Sequence, residues 1–263
     1  LRVVATTMQL EDIAREVGGE RVEVDGILGP DAEPHEYEPR PSDAEAVADA
    51  DVVIRNGAGL DDWLDDLLGA AGGDAERVTA TDGIRLAGGD PHVWHDPANA
   101  KRMVDAVEAA MIEAEPSSAA RFRANASTYR RQIDTMAHEI RELLRPIPRE
   151  RRKLVTSHDS FGYFARAYGI EVVGSVLPGL TTDAEPSGEQ VRELVAAIRR
   201  AGVDTIFTEH AVDAKLERQV AEEAGARVST SLYADALGEP GSGAESLIGA
   251  ELHNAHAMAE AWR

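Results

Sequence analysis

The sequence predicts an α/β protein in two lobes, each a mostly parallel sheet with flanking helices, joined by one long rigid backbone helix. Three observations carry this reading. Short apolar runs bounded by Gly, Pro or polar residues alternate with amphipathic helical patterns along most of the 263 residues. Strands separated by helices require crossover connections, and crossovers give parallel sheets. Between the two α/β halves, Ser117 to Leu144 runs 28 residues without Gly or Pro.

Taken in order, Arg2 to Ala5 opens the chain as a strand, followed by strands at Val22 to Ile27 and Asp51 to Arg55. Between the latter two, Ser42-Asp43-Ala44-Glu45 has the Ser-x-x-Glu form of a capping box and starts a helix. Asp96 caps the next helix, with Pro97 in its first turn. The segment from Ser117, rich in Ala, Arg, Glu and Gln, would span roughly 40 Å at about 1.5 Å per residue, more than one lobe needs, and Pro146 and Pro148 end it. The lobes are therefore placed at 1–116 and 146–263, with 117–145 as the link. In the second lobe, strands fall at Lys153 to Thr156, Glu171 to Val176, Thr205 to Phe207 and Arg227 to Ser231. There Ser187-Gly188-Glu189-Gln190 forms a second capping box.

Composition narrows the function. A net charge of −21 excludes nucleic acid and anionic membrane surfaces as partners, because phosphate contacts need clustered Lys and Arg. Lysine occurs only as Lys101, Lys153 and Lys215, so the acidic, arginine-dominated balance reads as a bias of the genome rather than a field built for a ligand. Cysteine is absent, which removes disulfides, thiolate zinc sites and cysteine nucleophiles and leaves His, Asp and Glu as metal ligands. No run of about 18 apolar residues occurs, and Leu1 to Ala5 already reads as strand, so no signal segment is expected within this chain.

In parallel α/β sheets ligands bind at the loops beyond the C-terminal ends of the strands, and those loops hold the histidines of interest. DPHVWHDP, residues 90–97, places His92 and His95 on a proline-stiffened turn entering a helix. His35 lies in EPHEYEP, another proline-locked loop, after the strand Val22 to Ile27. His158 follows the strand Lys153 to Thr156 in TSHDSFGYF and precedes a helix that Gly169 ends; the positive end of that helix would keep the ring neutral. Asp235, in LYADALG, follows Arg227 to Ser231 in the same way. These are four candidate metal ligands, two per half. His95 would need its loop to fold back to reach the same ion and is read as a supporting neighbour. Glu209, after Thr205 to Phe207, is a plausible acceptor for a ligand imidazole. His138 in the long helix and His253 and His256 in the C-terminal one are exposed or edge residues, and Trp63 and Trp94 are packing residues.

EPHEYEP, DPHVWHDP, TSHDSFGYFARAYG, DAEPSGEQVRELV and LYADALGEPGSGAESL, in that order over essentially the whole chain, resemble the zinc- and manganese-binding solute receptors of ATP-binding cassette importers, the cluster A-I or lipoprotein receptor-associated antigen type. The resemblance implies two α/β lobes joined by a long helix, with an ion held by His35 and His92 from the first and His158 and Asp235 from the second. It also implies an extracytoplasmic monomer, periplasmic or lipid-anchored at the outer face of the membrane, that serves a membrane permease. Members selecting manganese commonly carry Glu where this chain has His158, so the set is similar to the zinc type. Imidazole suits Zn2+ better than Mn2+, and manganese is the alternative cargo. The long His-rich acidic loop of many zinc receptors is absent from this sequence. An ion held by four protein ligands has no open position for activated water, so the expectation is a binding protein; the competing class is a zinc metallohydrolase with Glu209 as general base.

Overall fold

The computed structural model describes residues 1–30, 32–72 and 74–263, which divide into two compact units, Leu1–Thr135 and Met136–Arg263. The first unit is built on a parallel sheet of order β2-β1-β3-β4, from β1 (Arg2–Ala5), β2 (Glu23–Gly26), β3 (Val52–Arg55) and β4 (Glu76–Thr79). Central β1 and β3 carry the continuous apolar runs expected of strands covered on both faces, with Val3 opposite Val24 on one side and Val52 on the other. Edge strand β4 was not expected from the sequence. Its Glu76-Arg77-Val78-Thr79 has no apolar run, and it is a strand through its pairing with β3, Val53 opposite Arg77.

Helices α1 (Met8–Gly18), α2 (Pro41–Ala48), α3 (Trp63–Ala71) and α4 (Pro97–Ala114) surround this sheet. Val4 and Val53 from the sheet meet Val47 of α2 and Leu64 and Leu67 of α3 in one buried cluster. Helix α4 is capped as expected, Asp96 accepting from the Ala98 N–H at 2.8 Å. The start of α2 differs: Arg40, not Ser42, precedes the helix, Pro41 takes its first position, and Asp43 reaches back to accept from the Arg40 N–H at 2.7 Å. Pro41 brings the right φ and no N–H to satisfy, which moves the boundary upstream of the serine.

Helix α5 (Ala119–Leu144) is unbroken over 26 residues, and the division between the units falls within it. In the first unit Tyr129 of α5 donates to Asp12 at 2.5 Å and Asn125 donates to the Val17 carbonyl at 3.0 Å. Its other end is closed by Arg152, whose guanidinium donates to the carbonyls of Leu144 and Ile147 at 2.9 and 3.0 Å. The first satisfies a last-turn carbonyl that no intrahelical N–H can reach, and the second ties down the chain just beyond the helix.

In the second unit β5 (Lys153–Thr156) pairs in parallel with β6 (Glu171–Ser175), and β7 (Thr205–Ile206) with β8 (Arg227–Val228). A bond from the Phe207 N–H to the Val155 carbonyl, 2.9 Å, sets β7 beside β5. Strands β7 and β8 are shorter than their apolar runs suggest. The flanking helices are α6 (Gly162–Tyr168), α7 (Gly188–Ala201), α8 (Lys215–Ala224) and α9 (Leu247–Trp262). Helix α7 carries the predicted capping box, with reciprocal Ser187 and Gln190 bonds of 2.8 and 3.3 Å. Val155, Ile206, Val195, Ile198 and Val220 form the core between this sheet and α7 and α8. Among the described residues no helix is long and apolar enough to cross a membrane.

Candidate metal-binding site

In the first unit His35 and His92 leave loops that follow the two edge strands, β2 and β4, and meet. His35 sits in a 3-10 turn, Pro34–Glu36, whose entry is set by Glu33 accepting from the His35 N–H at 3.1 Å. His92 is fully buried at the head of the 3-10 turn Val93–His95. Asp90 Oδ1 accepts both the His92 backbone N–H, 2.9 Å, and its ring Nδ1–H, 2.8 Å. With the proton held on Nδ1 by a carboxylate, the lone pair is on Nε2. It faces His35 Nε2 at 3.3 Å. His95 is buried with its ring 5.5 Å from that of Trp94, and Trp94 packs edge-on to His92.

In the second unit His158 follows β5, Glu209 follows β7 and Asp235 lies beyond β8. The arrangement of the first unit recurs. Glu209 accepts the His158 N–H at 3.1 Å and its Nδ1 at 2.5 Å, and His158 Nε2 faces Asp235 Oδ2 at 3.1 Å. All three residues are buried. Burial works against a charged imidazole here, but Glu209 and then Asp235 outweigh it and hold the His158 pKa well above the usual imidazole range. This corrects the expectation of a ring kept neutral by a helix end: α6 begins only at Gly162 and spans seven residues, whereas two carboxylates touch the ring. The loop bearing Asp235 is anchored by Asn254 of α9, which accepts from the Tyr233 N–H at 2.8 Å and donates to its carbonyl at 2.7 Å.

Sequence reading missed Asp90 and Asn254. Asp90 had a local signal, since an acidic residue, proline and histidine occur in succession both at Glu33-Pro34-His35 and at Asp90-Pro91-His92. Asn254 had none, its partner being 21 residues away. His138 and His256 are exposed, and His253 lies beside Tyr233 with Nε2 at 3.2 Å from the Ser231 carbonyl.

Imidazoles backed by carboxylates and paired with a second donor are the chemistry of transition-metal ligands. Residues 3–261 match the family model described as zinc-uptake complex component A, periplasmic. The chain belongs to this family. It is similar to the manganese-binding lipoprotein MntA of Halalkalibacterium halodurans, 34% identical over 97% of this chain and 86% of the relative. It is similar also to the iron-binding protein YfeA of Yersinia pestis, 32% identical over 91% of this chain and 79% of the relative. Among solved structures, the periplasmic zinc-binding protein TroA of Treponema pallidum superposes with a TM-score of 0.91, at 29% identity, covering 99% of this chain and 98% of that one. The chain is thus a metal-binding component of an ATP-binding cassette importer, which implies a permease partner, and it is not an enzyme.

Proposed function

We propose that this protein is an extracytoplasmic zinc receptor in which His35, His92, His158 and Asp235 together hold Zn2+ and release it to the permease. The observation that carries the reading is the duplicated construction: in each unit an imidazole has Nδ1 against a buried carboxylate and Nε2 aimed at a second donor, 3.3 Å away in one case and 3.1 Å in the other. Two nitrogens at about 2.0–2.1 Å from a tetrahedral zinc lie roughly 3.3 Å apart, so both pairs have the spacing of a shared zinc sphere. Three imidazoles and one carboxylate favour Zn2+ over Mn2+, which prefers more oxygen ligands. Names among the relatives include manganese and zinc binders, in keeping with a transition-metal cargo. Four protein ligands complete the sphere and leave no position for a reactive water.

On this reading 1–116 and 146–263 act as ligand-bearing lobes and 117–145 as their link. Glu209 orients His158, His95 supports the His92 turn from the side, and the receptor works as a monomer, free in the periplasm or lipid-anchored. Titration of the purified protein with Zn2+ and Mn2+ tests it. Zinc should bind more tightly at equal pH and salt, with His92→Ala and His158→Ala each weakening it about a hundredfold. Tighter manganese binding, or unchanged zinc affinity in both variants, overturns the assignment.

A further inference from the structure

The eight residues after β3, Asn56 to Trp63, are built more rigidly than a connection from strand to helix requires. Gly57, Ala58 and Gly59 have φ of 80°, 57° and 87°, so three successive residues sit in the left-handed region, one of them an alanine. Such a turn persists only where its surroundings over-determine it. Asp61, fully buried, does this: its carboxylate accepts from Thr6 Oγ1 at 2.6 Å, from the Asn56 N–H at 2.6 Å and from the Gly57 N–H at 2.8 Å.

From this rigid turn two side chains donate outward. Asn56 Nδ2 donates to the Pro91 carbonyl at 3.2 Å, and Trp63 Nε1 donates to the Pro34 carbonyl at 3.0 Å. The Asn56 amide orientation follows from its neighbours, because Nδ2 also donates to the Gly57 carbonyl at 3.1 Å, and both partners are acceptors. Pro91 and Pro34 immediately precede His92 and His35. Each carbonyl therefore belongs to the peptide group whose N–H is that of the histidine, and those N–H groups are themselves bound by Asp90 and Glu33. Both edges of each peptide plane are held, the outer edge by the local acid and the other by the Asn56–Trp63 segment.

We infer that Asn56 and Trp63 are positioning residues for metal capture: one rigid turn spans the two ligand loops of the first unit and sets the spacing of His35 and His92. For Trp63 this adds to the packing role expected from the sequence. Its ring does pack against Tyr37, 5.0 Å between centroids, but its N–H is committed to the His35 turn. The inference rests on His35 and His92 being ligands, as proposed above.

Trp63→Phe is the sharper test, since it keeps an aromatic ring beside Tyr37 and deletes only the donor; Asn56→Ala is the second variant. Zn2+ affinity, the visible absorption spectrum of the Co2+-loaded protein and the melting temperature without metal are measured for both, with His92→Ala as control. The expected result is a roughly tenfold loss of zinc affinity and an altered cobalt spectrum in each variant, with the metal-free melting temperature of Trp63→Phe near that of the parent. Wild-type affinity and cobalt spectrum in Trp63→Phe and Asn56→Ala, while His92→Ala loses binding, overturn the positioning role and leave the zinc reading standing. A lowered melting temperature with an unaltered cobalt spectrum reduces the segment to a structural part and also overturns it. If His92→Ala binds like the parent, the ligand assignment fails and the inference falls with it.

Discussion

Replacing Glu209 with glutamine removes one charge and one acceptor at nearly constant volume. In the native arrangement the two carboxylate oxygens serve two donors of His158, the backbone N–H at 3.1 Å and ring Nδ1 at 2.5 Å. A glutamine amide has one acceptor oxygen and an NH2 that only donates, so one His158 donor loses its partner. Bonds of this kind to a charged acceptor are worth about 1.5–3 kcal/mol. Carboxylates behind metal-bound imidazoles typically contribute about 10–100-fold in affinity, or about 1.4–2.8 kcal/mol. Zinc affinity of Glu209→Gln should fall within that range. The pH dependence has a definite sign. Because Glu209 and Asp235 overcome burial and raise the His158 pKa, they favour a proton on the ring that zinc must displace. Glu209 stabilises the imidazolium and the zinc-bound imidazole alike, so its loss is felt in full only above the ring's pKa. The gap between parent and variant should therefore narrow as pH falls. Competition titration against a chromogenic chelator, from mildly acidic to alkaline pH, measures this directly. An affinity within twofold of the parent throughout, or a gap that widens toward acid, refutes the reasoning.

Zinc binding should release about one proton from His158 at neutral pH, read from calorimetric titrations in two buffers of different ionisation enthalpy; no buffer dependence would contradict it. Without metal, the raised His158 pKa means that its ion pairs with Glu209 and Asp235 stabilise the fold fully below the ordinary imidazole value of about 6.5, and that this contribution is lost as pH rises through the folded value. The destabilisation caused by His158→Gln should accordingly be larger in mild acid than in alkali, and the reverse order in melting experiments would count against it. Asp61→Ala strips partners from three donors and from Arg55, and should cost about 3 kcal/mol in urea unfolding; a loss below about 1 kcal/mol would show the turn does not depend on it. Asn254→Ala frees both backbone groups of Tyr233 and should lower stability by about 2 kcal/mol and weaken zinc binding through Asp235, measured on the same two assays.

Central strands announce themselves through burial on both faces, which is why Val3-Val4-Ala5 and Val52-Val53-Ile54 were legible while β4 was not: an edge strand needs only a neighbour to pair with, and Glu76-Arg77-Val78-Thr79 satisfies that with polar side chains. Proline marks the loops of His35 and His92, and strand-end position marks His158 and Asp235, so all four candidate ligands were legible. Their supporting partners were less so. Glu209 could be placed because it follows a strand, whereas Asn56 and Asn254 act on loops distant in sequence, and nothing local distinguishes a buried amide of that kind from an ordinary loop or helix residue. The charge state of His158 was misread for a related reason. The helix end is visible in sequence, but the two carboxylates that decide the matter arrive from β7 and β8 by folding.

With the proposed ligands, protons and the cargo compete for the same lone pairs in both units. An Nε2···Nε2 distance of 3.3 Å is a hydrogen bond only if one ring carries a proton there, and His92 already commits its proton to Asp90 through Nδ1. A proton shared between the two rings would therefore sit on His35, and capture of a cation by both nitrogens, as proposed, would move it to His35 Nδ1 or to solvent. In the second unit Glu209 and Asp235 favour a proton on His158, and capture by His158 and Asp235, as proposed, would expel it. The carboxylates that aim the imidazoles at a cation thus also favour a proton in its place. Affinity and acid sensitivity are set by the same contacts, so a variant that weakens one without shifting the other would have to act outside these two pairs.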